Sequence, residues 1–474
     1  MSDNIVDTKS TPVSGDRIPD LIKIGEIPSE YGQNLQTDII DPATSSQDKA
    51  RFTLDRVAGF LHSNSKITLG ITPVVNARAF FPLTVGVAQL VRSADLIIGG
   101  KTVCSTQDFS NLHAYHSLFL TNENNKEREQ YLSQRGVNHK PEITEDVDTS
   151  APFYGLNLGI EDNVVAGVHQ QQLMDFQLND ATSAETITQS PIYSIYLSDL
   201  FPFLKTNQLP AFMINEPIHI DLYWTPTTSI LAGAGIQSLR CCTDITGAMD
   251  TAYDIDLNEL KLVYDSISYD GEIMEKYREQ NKELAFSYVD YSLSKRTGTQ
   301  AELANLTLNV GGNGRLVSKV ICGLQRNGTY LARSLFKDAT SYAPTVQLAL
   351  NMRYNDRWEF NVDRSNPALL FHTTQQAEGQ VPFVSRQEYS REMLATITTG
   401  IFEGMDQSDP VFGIAGLLSW VAVRPNRGER VNNKGIELRY TNNGLDADTY
   451  TLRVWIEVVK VATIKDGVFD CYFA

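Results

Sequence analysis

A period of two in hydrophobicity recurs over most of the chain, and this pattern most constrains the fold. The segment Ile218–Trp224 shows it clearly, and Leu306–Val310 and Thr451–Glu457 repeat it. In the first segment Ile218, Ile220, Leu222 and Trp224 alternate with His219, Asp221 and Tyr223. Successive side chains of a β-strand point to opposite faces, so this period predicts strands with one buried face. The chain is therefore expected to be mainly β-sheet.

Glycine-rich turns separate several of these strands. Gly99 and Gly100 lie between the runs 95–98 and 101–103. Paired glycines supply the positive φ of tight hairpin turns, so we predict a hairpin here. A second turn at 311–314 precedes a new run at Leu316. Near the C-terminus, Val459 and Val461 follow Glu457 with a change of phase, which predicts a bulge or a change of sheet.

Few segments have helical spacing. The candidates are 107–120, 122–134, 198–209 and 271–280. In the third, Ser198 is expected to cap the helix and Pro202 to lie in its first turn. Helices are therefore predicted to be short and to connect strands.

The chain is long enough for two domains, with 474 residues. A loose segment, 225–251, contains one proline and several glycines and separates a strand ending at Trp224 from a strand at 257–269. The strand near Trp455 parallels the one near Trp224, which suggests a faint internal repeat. We therefore predict an all-β protein of two tandem eight-stranded jelly rolls with short helices and long inserted loops. The expected boundaries are a first jelly roll at 51–230, a linker at 231–256 and a second jelly roll at 257–474.

Residues 1–50 are predicted to form an N-terminal arm. They are polar, apart from an apolar island at Ile18, Leu21, Ile22 and Ile24. The arm is either a frayed terminus or a tail that becomes ordered against neighbouring subunits. It has no apolar core typical of a secretory signal, and the longest apolar stretch, 411–423, is too short to cross a bilayer. We therefore expect a soluble protein that is not exported by the classical route.

Charge and cysteine content exclude several classes of protein. The formal net charge is −17, which disfavours wrapping of nucleic acid because an acidic surface repels phosphate. The five cysteines are scattered, without a C-x-x-C pair, which argues against a disulfide framework and a structural zinc site. Neither a cofactor nor a bound metal is expected.

Two histidine patterns could in principle bind a metal. His219 and Asp221 share one face of a strand, and with a distant histidine such as His372 they could hold Fe(II) on a jelly roll. His113 and His116 lie one helical turn apart. Strand alternation and an ordinary helix face already explain these patterns. Since hydrolase, metalloprotease and phosphate-loop motifs are also lacking, we expect no catalytic, cofactor-binding or metal-binding residues and no enzymatic activity.

Three groups of segments carry a family resemblance. They are 94–101 with 117–128, then 197–204 with 208–210 and 216–220, and finally 259–265. These segments resemble the major capsid proteins of polinton-like viruses and virophages, within the double-jelly-roll lineage. The likeness runs from about Arg51 to the C-terminus and is sharp only in these patches.

The resemblance implies a structural major capsid protein that trimerises into pseudo-hexagonal capsomers of an icosahedral shell around double-stranded DNA. The implied partners are neighbouring capsomers, a penton protein and minor or cement proteins, without sequence-specific binding of nucleic acid. Loops at 129–180 and 327–380 would form towers or trimer contacts, and the arm would tie capsomers together. The implied location is the virion capsid, after synthesis in the host cytoplasm or nucleus. Two alternatives stay open: a carbohydrate-binding double β-sandwich, and a jelly-roll Fe(II) oxygenase built on His219 and Asp221.

Overall fold

The computed structural model describes most of the predicted strands. The described residues are 34–55, 57–70, 86–118, 193–231, 235–238, 240, 254–326, 347–363, 367–378, 420–425, 429–443 and 449–474. The predicted helix at 122–134 and the predicted loop at 129–180 lie outside them.

The elements are numbered in chain order. The strands are β1 Asn34–Ile40, β2 Thr44–Ser45, β3 Lys49–Leu54, β4 Phe60–Leu61, β5 Lys66–Leu69, β6 Val91–Ile98, β7 Lys101–Gln107, β8 Tyr193–Tyr196, β9 Ile218–Trp224, β10 Thr228–Leu231, β11 Gly235–Ser238, β12 Lys261–Ser268, β13 Glu283–Thr299, β14 Asn305–Gly311, β15 Val317–Arg326, β16 Gln347–Tyr354, β17 Arg357–Asp363, β18 Trp420–Val423, β19 Ile436–Asn443, β20 Thr449–Lys465 and β21 Val468–Phe473. The helices are α1 Phe109–Leu118, α2 Leu197–Leu200, α3 Pro202–Thr206, α4 Gly271–Gln280, α5 Gln300–Leu303 and α6 Pro367–Glu378.

The second half of the chain has the strand order of a jelly roll. One sheet runs β13-β20-β15-β18, with β21 added to β20, and the facing sheet runs β14-β19-β16-β17. In each sheet the first strand of the half pairs with one of its last strands, β13 with β20 and β14 with β19. That late strand pairs on its other side with a strand from the middle of the half, β15 or β16. A hydrophobic core lies between the two sheets and includes Val454, Ile456 and Leu438.

The first half has two sheets around a second, larger core. One runs β2-β3-β9-β6-β7 and the other runs β1-β12-β5-β8, with β4 also paired to β12. Strand β12 was expected to open the second jelly roll, but it pairs with β1, β4 and β5 of the first half. Alternation predicts that a strand has a buried face and does not tell which sheet it joins. The predicted boundaries at 230 and 257 remain a prediction, and this pairing favours a boundary after β12.

The predicted arm and linker also contain strands. Residues 34–50 of the arm include β1, β2 and the start of β3, which are paired within the first half. In the linker, β11 forms a hairpin with β10. The predicted loop at 327–380 contains the β16–β17 hairpin and helix α6. In the arm, polar composition therefore predicted an irregular tail where short or exposed strands form, and the loop that the resemblance implied at 327–380 contains regular elements.

Two of the helix predictions are confirmed and one needs correction. Helices α1 and α4 lie where spacing predicted them. The predicted helix at 198–209 is divided into α2 and α3 at Phe201, whose φ of −123° and ψ of 111° are extended. Pro202 explains the break, because the residue before a proline is disfavoured in helical conformation. The N-cap of α2 is Tyr196, not Ser198.

The expected change of phase after Glu457 is wrong. Strand β20 pairs with β13 in unbroken register over its whole length, and Val458, Lys460, Ala462 and Ile464 continue its buried set. The irregularity lies in the neighbouring strand β15, between Val317 and Lys319. By contrast, the hairpin at Gly99 and Gly100 is confirmed, with φ of 58° and 79°.

The long β13–β20 ribbon joins the two cores. Val454 and Ile456 of β20 belong to the second-half core, whereas Ala462 and Ile464 belong to the first-half core. One continuous strand pair therefore packs in both halves, which limits their relative motion.

Candidate functional site

The contact between the halves, called the seam below, is formed by β7, α1 and α3 of the first half against β13, β20 and β21 of the second. At its centre the Lys460 ammonium lies 2.6 Å from Asp290 Oδ2 and donates to the Val103 carbonyl at 3.2 Å. Asp290 Oδ1 accepts the Ser105 backbone N–H at 3.1 Å, and the Tyr288 hydroxyl donates to the Val103 carbonyl at 2.8 Å. A buried ion pair of the second half is thus completed by the backbone of the first.

Aromatic side chains surround this ion pair. Phe203 of α3 lies 4.9 Å from the Tyr288 ring in an edge-to-face arrangement and 5.5 Å from the Phe286 ring, measured between centroids. Its ring is also 6.4 Å from that of Phe469 in β21. Aromatic pairs at such distances add to the stabilisation from buried apolar area. The first half therefore inserts an anchor into an aromatic pocket of the second.

A second ionic contact lies at the start of α1. Asp108 accepts Arg453 Nε at 2.8 Å and Lys295 Nζ at 3.4 Å, both from the second half. The indole N–H of Trp455 donates to the Gln107 carbonyl at 3.1 Å. Burial alone would raise the pKa of Asp108, but Arg453 and Lys295 outweigh it and hold the pKa below its usual value. The carboxylate therefore stays ionised and fixes α1 on the second-half sheet.

A third cluster contains one buried lysine and two glutamates. Lys319 Nζ lies 2.9 Å from Glu378 Oε2 and 3.4 Å from Glu457 Oε2. Glu457 also accepts hydrogen bonds from Tyr291 and Ser318, each at 2.6 Å. Burial alone would lower the pKa of Lys319, but the two carboxylates raise it overall. The cluster is therefore an ion triad held together by hydroxyl donors.

Two side chains of helix α1 lie beside this triad, one in contact with Glu378 and the other with the Tyr291 hydroxyl. The Tyr115 hydroxyl donates to Glu378 Oε1 at 2.6 Å. His116 Nε2 lies 3.0 Å from the Tyr291 oxygen, whose only proton is donated to Glu457, so we assign the proton of this contact to His116 Nε2. Burial, with Lys319 nearby, lowers the pKa of His116 well below its usual value, which keeps the ring neutral.

The last part of the seam lies at the Gly99–Gly100 turn. A Cβ at Gly99 would lie 2.4 Å from the Glu216 carboxyl group, and Glu216 accepts the Phe469 backbone N–H at 2.9 Å. Lys101 lies 3.0 Å from Asp470 of β21. The close approach of turn and carboxylate requires glycine here.

The seam is suited to hold two β-sandwiches as one body. Its charged groups are paired with each other, and its aromatic groups fill the space between them. Such contacts supply rigidity rather than an open site for a substrate.

The residues of the Fe(II) hypothesis have other partners. Asp221 accepts Arg51 Nε and Nη2, both at 2.6 Å, and lies 2.9 Å from Lys49 Nζ. His219 contacts the Thr53 hydroxyl at 3.0 Å, and His372 contacts Gln376 of its own helix. Within the described residues, no three His, Cys, Asp or Glu side chains are grouped as a metal would require. A metal at Asp221 would first have to displace two cations.

The second histidine pair is divided between different environments. The His113 ring centroid lies 5.2 Å from that of Phe109, with the two rings tilted, whereas the His116 ring lies against Tyr291. Both contacts agree with a packed helix face.

Sequence reasoning missed the charged residues of the seam, although a signal was present. Lys460 occupies the same phase as the apolar residues Val458 and Ala462, and Asp290 the same phase as Phe286 and Tyr288. A charged residue at a buried phase usually has a partner. The sequence does not tell which distant element supplies that partner.

Two edge strands expose large apolar side chains. On β1, Leu35 and Ile39 are 61% and 66% exposed. On β21 the exposed residues are Val468, Tyr472 and Phe473. Exposed apolar groups on sheet edges are typical of surfaces that contact other proteins. No helix of the described part of the chain is long and apolar enough to span a membrane.

No family model and no curated protein matches this sequence. Among solved structures, the capsid of PBCV-1 in a quasi-atomic model matches with a TM-score of 0.53 and 10% identity, over 94% of this chain and 97% of that chain. A crystal structure of PBCV-1 VP54, fitted into a reconstruction of the virophage Sputnik, matches with a TM-score of 0.50 and 9% identity over 94% and 97% of the two chains. The Sputnik virophage structure matches with a TM-score of 0.50 and 12% identity over 94% and 89%.

These matches confirm the predicted fold. The chain has the double jelly-roll fold, and it is similar in structure to the major capsid proteins of PBCV-1 and Sputnik over nearly its whole length.

Proposed function

We propose that this chain is a structural major capsid protein, which trimerises into pseudo-hexagonal capsomers and forms the icosahedral shell of a double-stranded DNA virus. The observation that carries this proposal is the extent of the structural match, 94% of this chain and 97% of the PBCV-1 chain. The likeness includes both jelly rolls, so it concerns the arrangement of the two halves as well as the fold of each.

The seam supports this function physically. A shell subunit has to present fixed surfaces to its neighbours, and buried ion pairs such as Lys460–Asp290 and Asp108–Arg453 fix the halves relative to each other. Two similar halves in each of three copies give six similar units around one axis. A trimer built in this way has a nearly hexagonal outline and can tile a flat face.

The exposed apolar residues on β1 and β21 are suited to contacts with other proteins. We propose that neighbouring capsomers, a penton protein and minor or cement proteins are the partners of these surfaces. Many modest contacts, repeated by symmetry, sum to a stable shell. The domain division consistent with the strand pairing is a first jelly roll that extends through β12 and a second that begins at β13.

The net charge of −17 supports a shell function over a nucleic-acid-binding one. We propose no sequence-specific contact with the genome and no enzymatic activity. The proposed location is the virion capsid, after synthesis in the host cytoplasm or nucleus.

The experiment that tests this function is multi-angle light scattering of the purified full-length chain, followed by electron microscopy of the same fraction. We expect a species of three chain masses with a hexagonal outline, and shells under assembly conditions. A persistent monomer that binds glycans or carries stoichiometric iron would contradict the proposal and favour one of the two alternatives.

A further inference from the structure

Strand β1 lies at the edge of a first-half sheet and has one open side. Among the described residues, β1 pairs with β12 alone, over Asn34–Ile40. Within this part of the chain, the N–H and C=O groups on its other side therefore have no strand beside them. An open edge of this kind is a template to which a further strand can be added.

The outward face of β1 is apolar. Ile40 packs against the first-half core, whereas Leu35, Thr37 and Ile39 have the opposite phase and point away from it. Leu35 and Ile39 are the most exposed large apolar side chains of the described residues. Ile39 lies opposite Val263 of β12, which is itself only partly buried. An aliphatic strip is therefore left uncovered along the open edge.

The chain that enters β1 carries a segment with matching spacing. Ile18 and Ile22 are separated by four positions in the sequence. Leu35 and Ile39 have the same separation, which is about 13 Å along a strand. Antiparallel pairing can therefore bring Ile22 beside Leu35. In the same register Ile18 lies beside Ile39, so both exposed side chains gain an aliphatic cross-strand neighbour.

The composition of this segment suits an outermost strand. Pro19 lacks an N–H, and proline is tolerated in a sheet where that group would otherwise face water. Proline and charged side chains also prevent the addition of further strands at a sheet edge. Pro19, Asp20 and Lys23 therefore allow residues 18–24 to end the sheet, which the aliphatic edge of β1 does not.

The connection between the two segments is long enough for the chain to turn back. Residues 25–33 span at most about 30 Å when extended, more than twice the length of the aliphatic strip. Gly25, Pro28 and Gly32 are residue types that favour turns. A short tether gives the segment an effective concentration of about millimolar at β1. A second copy is present only at its free concentration, so the tethered segment is the favoured occupant.

We infer that residues 18–24 add to the open edge of β1 as an antiparallel strand of the same chain, in the register that pairs Ile22 with Leu35. The added strand covers the aliphatic strip and becomes the edge of the sheet. This inference goes beyond the proposed function, because it holds for the separate chain as well as for an assembled one. In a shell, neighbouring copies then meet the β1 surface with the arm in place.

Site-specific photo-crosslinking in the full-length chain tests this contact. The photoreactive residue p-benzoylphenylalanine replaces Ile39, and isotope-labelled and unlabelled chains are mixed before irradiation, so that mass spectrometry distinguishes crosslinks within a chain from those between copies. We expect crosslinks within single chains that join position 39 to the tryptic peptide 18–23, which follows Arg17 and ends at Lys23. The matched control replaces Tyr472, which is 54% exposed on the edge strand β21. It is expected to give no crosslink to that peptide.

Hydrogen exchange gives a second, independent measurement. In the docked state, the β1 N–H groups that point away from β12 donate to residues 18–24 and are protected from exchange. Ile22→Asp places a charge beside the aliphatic strip, so these groups should exchange about tenfold faster. Ile27→Asp makes the same change in the connection and should leave their exchange rates unchanged.

Three results would overturn this inference. Crosslinks from position 39 to peptide 18–23 or to β1 of another copy would place a second copy at this edge. The absence of crosslinks to peptide 18–23 would remove the contact altogether. Equal exchange of β1 in Ile22→Asp and Ile27→Asp would show that the edge is not protected by this segment. Light scattering of the same samples reports the trimer separately, so each of these results leaves the proposed function standing.

Discussion

The Lys460 ammonium and the Asp290 carboxylate lie 2.6 Å apart at the buried centre of the seam. The two residues belong to neighbouring strands of the second half, and first-half backbone groups at Val103 and Ser105 complete their hydrogen bonds. The pair therefore depends on both halves being in place. The contribution of the pair to the free energy of unfolding should therefore depend on the contact between the two halves.

Lys460→Met tests this pair, because it leaves Asp290 buried without its cation. We expect the free energy of unfolding in urea to fall by about 3–5 kcal/mol, the usual cost of removing one partner of a buried ion pair. The control is Lys465→Met in the same strand, whose exposed side chain pairs with Glu283 at 3.5 Å. That variant should lose about 1 kcal/mol or less. Equal losses of stability in both variants would show that the buried Lys460–Asp290 pair stabilises the fold no more than the exposed Lys465–Glu283 pair.

Gly99→Ala and Gly100→Ala separate backbone strain from close contact. Both glycines have positive φ, so alanine at either position should cost about 1–2 kcal/mol. Only at Gly99 would the new Cβ also meet the Glu216 carboxyl group and disturb its hydrogen bond with Phe469. Thermal unfolding should therefore show a lower Tm for Gly99→Ala than for Gly100→Ala. The same Tm in both variants would argue against the close approach at the turn.

The neutral His116 ring should make the protein sensitive to mild acid. Its folded-state pKa lies well below 6.5, so below about pH 6.5 the unfolded chain binds a proton that the folded chain excludes. Stability is therefore expected to fall as the pH decreases from 6.5. His116→Gln, which keeps an N–H for Tyr291, should flatten the dependence of Tm on pH between 6.5 and 5.

The comparison variant for this effect is His62→Gln. Burial also lowers the pKa of His62, but less than that of His116, so its replacement should flatten the curve less. A steeper pH dependence in His116→Gln than in the unmodified protein would contradict the neutral state of this ring.

Local sequence patterns predicted the elements of the fold better than their partners. Alternation predicted β9 and the first part of β20, and the paired glycines predicted the β6–β7 hairpin, because each signal is local. The partners of β12 could not be predicted, since its pattern is compatible with either half. The break between α2 and α3 at the extended residue Phe201 was also missed, although Pro202 gives a local reason for it.

The partners of the charged residues in the seam could not be predicted from local sequence patterns either. Lys460 lies at a buried phase that requires a partner, but its partner Asp290 is 170 positions away in the sequence. Asp108 and Arg453 are separated by 345 positions. Asp108 also adopts a positive φ of 53° at the start of α1, which nothing in the sequence predicts. Contacts of this kind depend on how the two folded halves meet, and alternation within a strand holds no information about that.

Cysteine reactivity should report whether the seam opens. Burial raises the pKa of Cys322 to about 12, and burial together with Asp290 raises the pKa of Cys104 well above its usual value. Since the thiolate is the reactive form, a pKa of about 12 leaves roughly one thiol in ten thousand ionised at pH 8. In alkylation followed by tryptic mass spectrometry, we expect native protein to be labelled at the half-exposed Cys471 well before Cys104 or Cys322. In urea, all three should react at similar rates. Cys104 donates to Asp290 at the centre of the seam, so its native labelling at the rate of Cys471 would mean that the halves separate in solution.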